Sequence, residues 1–411
     1  MAKARKDSRG RALRKGEVQR KSDGKYIYTY TDPLGRRKYI YSNDLMTLRE
    51  KEKQLVRDQL DGLDTYVAGK ATINDVFDRY MSIKYDIRET TKSGYIYTYD
   101  KYIRDTFGLK KIADIKYSDV YHFYNHLIAE RGFSISTVDS VHCLLHPTFQ
   151  LAVRDEIIRK NPSDGVMREI NKRSGKNKGV RHALTIPQQR EFLNYIANHP
   201  VYNHWWTLFT VMLGTGMRIG EVIGLRWKDI NIEERNISVN HSLVYYVSPD
   251  TGKSVMKIMQ PKTNAGIRQI PMLDVVKDAF EIEYEEQKEI GFNQSIIDGM
   301  TGFIFTNRNG YVHNPQTINN AIKRISSSYN AEELIKAKKE KREPVILPKF
   351  SCHHLRHTFC TRLCENETNL KVIQSVMGHR DIQTTLDIYA DVTEDKKQET
   401  FNILSQKLDI F

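Results

Sequence analysis

The stretch SCHHLRHTFCTRL, residues 351–363, carries apolar side chains at four-residue spacing. Leu355, Phe359 and Leu363 would share one face of a helix and pack inward. His353 and Arg356 are one turn apart and would point the same way off that face. A guanidinium holds two phosphate oxygens with its planar fork, and an imidazole donates or accepts a proton. The stretch therefore predicts a helix that packs on a core and presents two side chains suited to a phosphodiester.

The whole chain of 411 residues has the composition of a globular protein with two or three domains, since 39% of its residues are hydrophobic and 28% are charged. Its formal net charge of +13 predicts a polyanionic partner, either nucleic acid or an anionic membrane surface. The longest apolar run, residues 205–213, is too short to span a bilayer, and the first 17 residues lack the apolar stretch of a signal peptide. We therefore expect a protein of the cytoplasm.

The cysteines are too few and too unevenly spaced for a disulfide framework, which is consistent with a reducing compartment. Three of them lie in or next to the histidine-rich stretch described above. That stretch has no CxxC or HxxxH pair with a matching second half elsewhere, so we expect no metal site. The cysteines are Cys143, Cys352, Cys360 and Cys364.

The first 25 residues contain ten lysines and arginines against three acidic residues. Such a block is either a solvated tail or an arm that binds phosphates. Residues 25–30 and 36–42 alternate as strands do, and residues 45–60 have the apolar spacing of a helix that covers one sheet face. Basic and aromatic residues on the open face would suit a DNA major groove, although a merely soluble face is the alternative. We predict a three-stranded sheet plus a helix as a first domain over residues 1–68.

An all-helical domain is predicted over residues 70–166, with Thr72 as the cap of its first helix. Its basic side chains favour a clamp on phosphates over an inert spacer. Residues 167–182 are polar, basic and glycine-containing, which predicts a flexible linker along a phosphate backbone. The predicted DNA contacts in these regions are Arg20, Lys21, Lys25, Arg36, Arg37, Lys38, Lys92, Lys101, Lys172, Arg173, Lys176 and Lys178.

The remaining residues, 183–411, contain more specific signals. A helix that looks buried breaks at the GTG of residues 214–216, and a second helix restarts beside Arg218. An arginine at a helix start gains nothing from the helix dipole, so binding an external anion would explain its position. Residues 236–272 alternate like strands joined by turns, and Lys262 falls near the tip of the second hairpin.

Near the carboxyl end, Tyr389 follows Ile382, Thr385 and Leu386 at helical spacing. This local pattern leaves open whether the tyrosine belongs to a core or takes part in chemistry. The lysine-rich residues 331–344 are interpreted as a surface helix, with another backbone contact as the alternative. The tail over residues 393–411 has amphipathic spacing, and it packs either on its own domain or on a neighbouring subunit.

Six residues stand in an order that resembles the tyrosine recombinases, the phage integrase family, from about residue 70 to the end of the chain. The amino-terminal sheet and helix also resemble the arm-site-binding domain of integrases from conjugative transposons of the Tn916 kind. One departure is His354, which stands where an acidic residue is common and leaves the local hydrogen bonding open. The matching motifs are TGMRIGE with Arg218, PKTNAGIRQIP with Lys262, HHLRHTF with His353 and Arg356, MGH with His379, and LDIYADV with Tyr389.

The resemblance implies a multidomain α+β protein with the tyrosine recombinase fold: an arm-binding sheet domain, an all-helical core-binding domain, and a mainly helical catalytic domain with a small antiparallel sheet. It implies that Tyr389 attacks DNA to form a 3′-phosphotyrosine link, and that Lys262 protonates the leaving 5′-oxygen. Arg218 and Arg356 would hold the phosphate oxygens. His353 would assist proton transfer, and His379 would donate a hydrogen bond to the phosphate.

The implied partners are double-stranded DNA at core, arm and target sites, further copies of the chain in a tetramer, and possible excisionase and host DNA-bending proteins. No cofactor or metal is implied, since the arginines supply the charge. The function implied is site-specific recombination that integrates and excises a mobile element in a bacterial host. A type IB topoisomerase and a DNA-binding regulator without catalysis are the alternatives.

Overall fold

The computed structural model of the protein describes residues 5–31, 37–60, 70–174, 183–261, 266–379, 381–383, 385, 386 and 388. The chain divides into two compact units, Met1–Lys176 and Asn177–Phe411. The described part of the chain contains no helix that is both long enough and apolar enough to cross a membrane. Residues 32–36, which include Arg36, and the tail over residues 393–411 lie outside the described residues, as do Lys176 and Lys178.

The first unit begins with a three-stranded antiparallel sheet, as predicted. Its strands are β1 (Glu17–Gln19), β2 (Tyr26–Thr31) and β3 (Arg37–Ser42), in that order across the sheet. Helix α1 (Leu45–Leu60) covers the face that carries Tyr26. The opposite face is open, because strand alternation places Tyr39 and Tyr41 there and both are about half exposed.

The same unit continues with the predicted helical domain. Its helices are α2 (Ile73–Ile83), α3 (Glu89–Tyr99), α4 (Tyr117–Ala129) and α5 (Ile135–Arg154). Thr72 caps α2 as predicted, because its hydroxyl accepts from the Asp75 N–H while the Asp75 carboxylate accepts from the Thr72 N–H. A shared core of buried apolar side chains, with Phe77 stacked on Tyr99, holds the helices together.

The predicted linker over residues 167–182 requires a correction in its first half. Residues Val166–Ser174 form a helix, α6, rather than a flexible segment. Val166, Met167 and Ile170 are buried in the core of the helical domain, which explains why this polar sequence is ordered. Residues 175–182 lie outside the described residues.

The second unit is mainly helical, and helix α8 (Trp206–Thr215) lies in its core. Every side chain from Thr207 to Leu213 is buried, since neighbouring helices cover α8 on several sides. The other helices of this unit are α7 (Ile186–Asn198), α9 (Ile219–Ile223), α10 (Asp274–Ile290), α11 (Pro315–Glu340), α12 (Cys352–Asn366) and α13 (Leu370–Met377).

The strands of the second unit pair differently from the prediction. The predicted first hairpin is present, formed by β6 (Ser242–Val247) and β7 (Ser254–Met259). The predicted second hairpin is wrong, because β8 (Arg268–Pro271) pairs with β5 (Asn236–Val239) rather than with β7. Strand β4 (Ile230–Asn231) lies on the other side of β5. Ile237 and Ile270 face each other across the β5–β8 pair and are buried, which joins this sheet to the core.

The lysine-rich residues 331–344 were interpreted as a surface helix, and residues up to 340 indeed form the last turns of α11. Glu333 and Ala337 are buried, whereas Lys336, Lys338 and Lys339 are exposed. Glu333 pairs with Arg342 just beyond the helix end. The segment is therefore a helix with one buried edge and a basic outer surface.

Candidate active site

The break between α8 and α9 places Arg218. Helix α8 ends at Gly216, whose φ of 61° is left-handed and suits a residue without Cβ. A Cβ on Gly216 would lie 2.3 Å from the Phe359 ring, so glycine also allows α12 to approach the break closely. Arg218 then occupies the cap position of α9, with 40% of its side chain exposed.

Helix α12 brings Arg356 to the same place. Its Nη1 donates to the Gly216 carbonyl and its Nη2 to the Met377 carbonyl, both at 2.6 Å. Burial, and then the positive charge of Arg218, lower the pKa of Arg356 to about 9. The Arg356 guanidinium is thus held by carbonyl dipoles beside a second cation.

Glu221 is the carboxylate of this cluster. It accepts from the Arg218 N–H at 2.8 Å and from the Arg218 guanidinium at 2.9 Å. Arg268, from β8, binds the same carboxylate with Nη1 at 3.2 Å and Nη2 at 2.9 Å. Burial alone would raise the pKa of Glu221, but the hydrogen bonds and charges of Arg268 and Arg218 outweigh it and lower the pKa below its usual value.

Sequence reasoning missed Arg268 and Glu221 as parts of the site, although both lie within the quoted motifs. The available signal for Arg268 was strand alternation, because it shares the inward face of β8 with Ile270. A charged side chain at an inward position requires a partner. The partner was not visible because Glu221 is 47 residues away in sequence.

His379 lies directly after the end of α13. Helix α13 ends at Gly378 in the left-handed conformation, which turns the chain so that His379 is buried. Its Nδ1 is 2.9 Å from the Thr385 hydroxyl. Burial, followed by the charges of Arg356, Arg218 and Arg268, lowers the pKa of His379 to about 4. The imidazole is therefore neutral at physiological pH.

The hydrogen bonding of His354, which the sequence left open, is defined at the start of α12. The Nδ1 of His354 accepts from the Ser351 N–H at 3.2 Å and lies 3.0 Å from the Ser351 hydroxyl. The imidazole thus caps the helix in the way an acidic side chain would. His353, next to it, is exposed.

Lys262 and Tyr389 lie outside the described residues. The described residues just before Tyr389 are helical at positions 382, 383, 385, 386 and 388. Thr385 is buried, and Ile388 packs on the small core that Cys360, Cys364 and Ile373 form. The segment that leads to Tyr389 is therefore attached to α12 and α13.

The described side chains predicted to contact DNA lie at the surface of the first unit. Two of them lie over tyrosine rings on the open face of the sheet: Arg20 over Tyr41 at 5.6 Å and Arg37 over Tyr39 at 6.0 Å. Lys101 lies over two rings of the helical domain. The remaining described members, Lys21, Lys25, Lys38, Lys92, Lys172 and Arg173, are exposed or partly exposed.

Family models match three parts of the chain: the DNA binding domain of Tn916 integrase over residues 1–59, the phage integrase N-terminal SAM-like domain over residues 72–128, and the phage integrase family over residues 182–396. The transposase from transposon Tn916 of Enterococcus faecalis is 30% identical over 426 residues, with 99% of this chain and 98% of the relative covered.

Solved structures with the same fold include the Tn1549 transposon integrase in complex with transposon right end DNA. It is 30% identical with a TM-score of 0.69, and the match covers 82% of this chain and 100% of that chain. A lambda integrase tetramer bound to a Holliday junction is 17% identical with a TM-score of 0.50, covering 92% of this chain and 95% of that chain. These likenesses confirm the predicted tyrosine recombinase fold. The chain belongs to the phage integrase family and is a site-specific tyrosine recombinase.

Proposed function

We propose that the arginine cluster binds a DNA phosphodiester and that Tyr389 attacks it. The observation that carries this proposal is that Arg218 and Arg356, from separate helices, bind the consecutive carbonyls of Gly378 and Met377 directly before His379. Three of the proposed site residues, Arg218, Arg356 and His379, thereby lie close together. Cationic donors that are fixed before the reaction stabilise charge developing on phosphoryl oxygens without further reorganisation.

The proposed step is a transfer of one phosphoryl ester bond. The Tyr389 oxygen forms a bond to phosphorus as the bond to the 5′-oxygen breaks, which leaves a 3′-phosphotyrosine and a free 5′-hydroxyl. Arg218 and Arg356 hold the non-bridging oxygens, and Lys262 gives a proton to the leaving oxygen. Religation is the reverse reaction with a different 5′-hydroxyl, so no external energy source is needed.

The two histidines take different roles in this proposal. The low pKa of His379 keeps its imidazole neutral, and a hydroxyl proton donated by Thr385 to Nδ1 leaves Nε2–H as a hydrogen-bond donor to the phosphate. His353, exposed at the first turn of α12, assists the transfer of the tyrosine proton.

The DNA substrate would be held by the basic surfaces of the first unit. The open sheet face with Arg20, Arg37, Tyr39 and Tyr41 would bind arm sites, and the helical domain would bind core sites. The match of residues 1–59 to the DNA binding domain of Tn916 integrase supports DNA binding by the sheet domain. The related Tn1549 integrase in complex with transposon right end DNA supports DNA binding by the rest of the chain. We further propose a tetramer on two duplexes, assisted by an excisionase and by host DNA-bending proteins, that integrates and excises a mobile element in the cytoplasm of a bacterial host.

The covalent step is tested with a nicked duplex from the ends of the element, incubated without divalent metal and run on a denaturing gel. We expect the wild-type protein to form a protein–DNA band and Tyr389→Phe to form none, although both bind the duplex. Strand-exchanged products would then separate recombination from relaxation of single duplexes by a topoisomerase. A chain that binds the DNA but forms no covalent band, even with the partners added, would contradict the proposal and favour a DNA-binding regulator.

A further inference from the structure

The last turn of α13 is bound by three arginines in succession. The Val376 carbonyl accepts from Arg268 Nε at 2.8 Å, the Met377 carbonyl from Arg356 Nη2 at 2.6 Å, and the Gly378 carbonyl from Arg218 Nη2 at 3.0 Å. The last carbonyls of a helix have no partner within the helix and carry partial negative charge, so cations are favoured there. Two of these arginines, Arg218 and Arg356, are among the six positions that match the family, but Arg268 is not.

Arg268 differs from Arg218 in how its donors are used. Its side chain is only 4% exposed, and four bonds occupy it: one to Val376, two to Glu221 and a longer one of 3.4 Å to the Gly266 carbonyl. An arginine with this many fixed partners in a buried position has little capacity left for a phosphate. Arg218, with 40% of its side chain exposed, keeps that capacity.

We propose that Arg268 is a positioning residue that fixes Glu221, and through it Arg218, to the end of α13. This inference rests on the proposed function, because it concerns how the phosphate-binding arginine is held. Arg268 reaches two separate elements at once: the Glu221 carboxylate on α9 and the Val376 carbonyl on α13. Its own backbone lies on β8, so a single side chain joins a strand and two helices within the catalytic domain.

The consequence of removing Arg268 follows from the two bonds it makes to Glu221. Glu221 would keep only Arg218 as its charged partner, so its carboxylate would compete more strongly with a phosphate for that guanidinium. The end of α13 would also lose one of its three bonds from arginines, just before His379. Small displacements of this kind reduce a reaction rate strongly while ground-state binding to DNA, which uses many phosphates, changes little.

The test compares Arg268→Met and Arg268→Lys with the matched controls Arg226→Met and Arg226→Lys. Arg226 is an equally buried arginine of the same domain, bound to Asp229 at 2.9 Å. For each variant, the thermal midpoint, the dissociation constant for the nicked duplex and the single-turnover cleavage rate at saturating protein are measured. We expect Arg268→Met to cleave about 100-fold more slowly with a nearly unchanged dissociation constant. Arg268→Lys should recover part of this rate, since lysine supplies the charge to one partner only.

Arg226 variants should lose thermal stability but keep the cleavage rate of the folded fraction. If Arg268→Met proves too unstable to use, the double variant Arg268→Met with Glu221→Gln removes the unpaired carboxylate. The double variant should fold and still cleave slowly. Its cleavage rate should be no lower than that of the slower single variant, because both substitutions remove the same contact between Arg268 and Glu221. Equal losses of rate in the Arg268 and Arg226 series, or full activity in Arg268→Met, would overturn the inference. Absence of a covalent band in the wild-type protein would instead overturn the proposed function.

Discussion

Two groups of arginines in the catalytic domain differ in how their charge is balanced. Arg226 meets Asp229 in a closed pair, with both side chains at most 5% exposed and two guanidinium bonds of 2.9 Å. In the candidate active site, Arg218 and Arg268 share the single carboxylate of Glu221. Arg356 lies close enough to these two cations that they contribute to its lowered pKa.

The difference fits a structural ion pair at Arg226 and the phosphate site proposed at Arg218. The Asp229 carboxylate neutralises the Arg226 guanidinium, so this pair requires no further anion. Around Glu221, the described side chains leave an excess of positive charge that only carbonyl dipoles and solvent offset. An incoming phosphate anion is therefore favoured at the cluster and not at the pair.

The largest effect expected from this difference is on catalysis. Arg356→Lys should lower the single-turnover cleavage rate about 1,000-fold, because lysine cannot bind Gly216, Met377 and a phosphate through one planar fork. Arg226→Lys, measured on the same nicked duplex, should lose stability and keep the rate of the folded protein within about threefold. Similar rates in both variants would mean that the two groups do not differ in function.

A smaller effect is expected when each carboxylate is neutralised. Glu221→Gln and Asp229→Asn should each lower the free energy of unfolding by about 3 kcal/mol, since each leaves buried cations without an anion. Sulfate at millimolar concentration should restore stability to Glu221→Gln, because an anion can enter the cluster of Arg218, Arg268 and Arg356. Thermal unfolding with sulfate and with chloride at equal ionic strength measures this.

Asp229→Asn serves as the control for the general effect of sulfate on folded proteins. The buried Arg226–Asp229 pair offers no space that an external anion reaches. Sulfate should therefore raise the thermal midpoint of Asp229→Asn no more than it raises that of the wild type. An equal recovery in both variants would contradict the idea that only the active-site cluster accepts an anion.

The sequence alone predicted the elements whose side chains repeat regularly. The cap at Thr72, the break at Gly216, and the rows of apolar residues on α1 and α12 are local signals that the fold preserves. The ordered motifs predicted the family and four site residues that the structure describes. Of these, Arg218, Arg356 and His379 converge at the end of α13, while His353 is exposed on the neighbouring turn of α12.

The features that sequence reasoning missed depend on contacts between distant segments. The alternation of β8 is the same whether it pairs with β5 or β7, so the partner strand could not be predicted. Helix α6 has few apolar residues, and its order comes from burial of Val166 and Ile170 on other helices. The bond between Arg268 and Glu221 joins residues 47 apart and has no periodic signature.

The smallest effect expected is the one that an anion has on two buried histidines. His379 and His313 both have pKa values lowered to about 4. For His379 the causes are burial and then the charges of Arg356, Arg218 and Arg268. For His313 they are burial and then the charge of His204. Since both folded pKa values lie below the ordinary 6.5, the associated stability is complete above pH 6.5 and is lost as pH falls towards 4. Each histidine should contribute about 3 kcal/mol to this loss.

An anion at the arginine cluster should separate the two histidines. Sulfate would offset the charges of Arg356, Arg218 and Arg268 and raise the pKa of His379 by about one unit, which weakens the acid-induced loss of stability at that position. His313 is buried against Trp205, and its pKa is lowered by burial and by His204 rather than by the arginine cluster. Sulfate should therefore leave the pKa of His313 unchanged. Histidine resonances followed by NMR with and without sulfate measure both values, and His379→Gln assigns its signal. If both histidines respond alike, the arginine cluster does not bind the anion, and its excess charge has another explanation than phosphate binding.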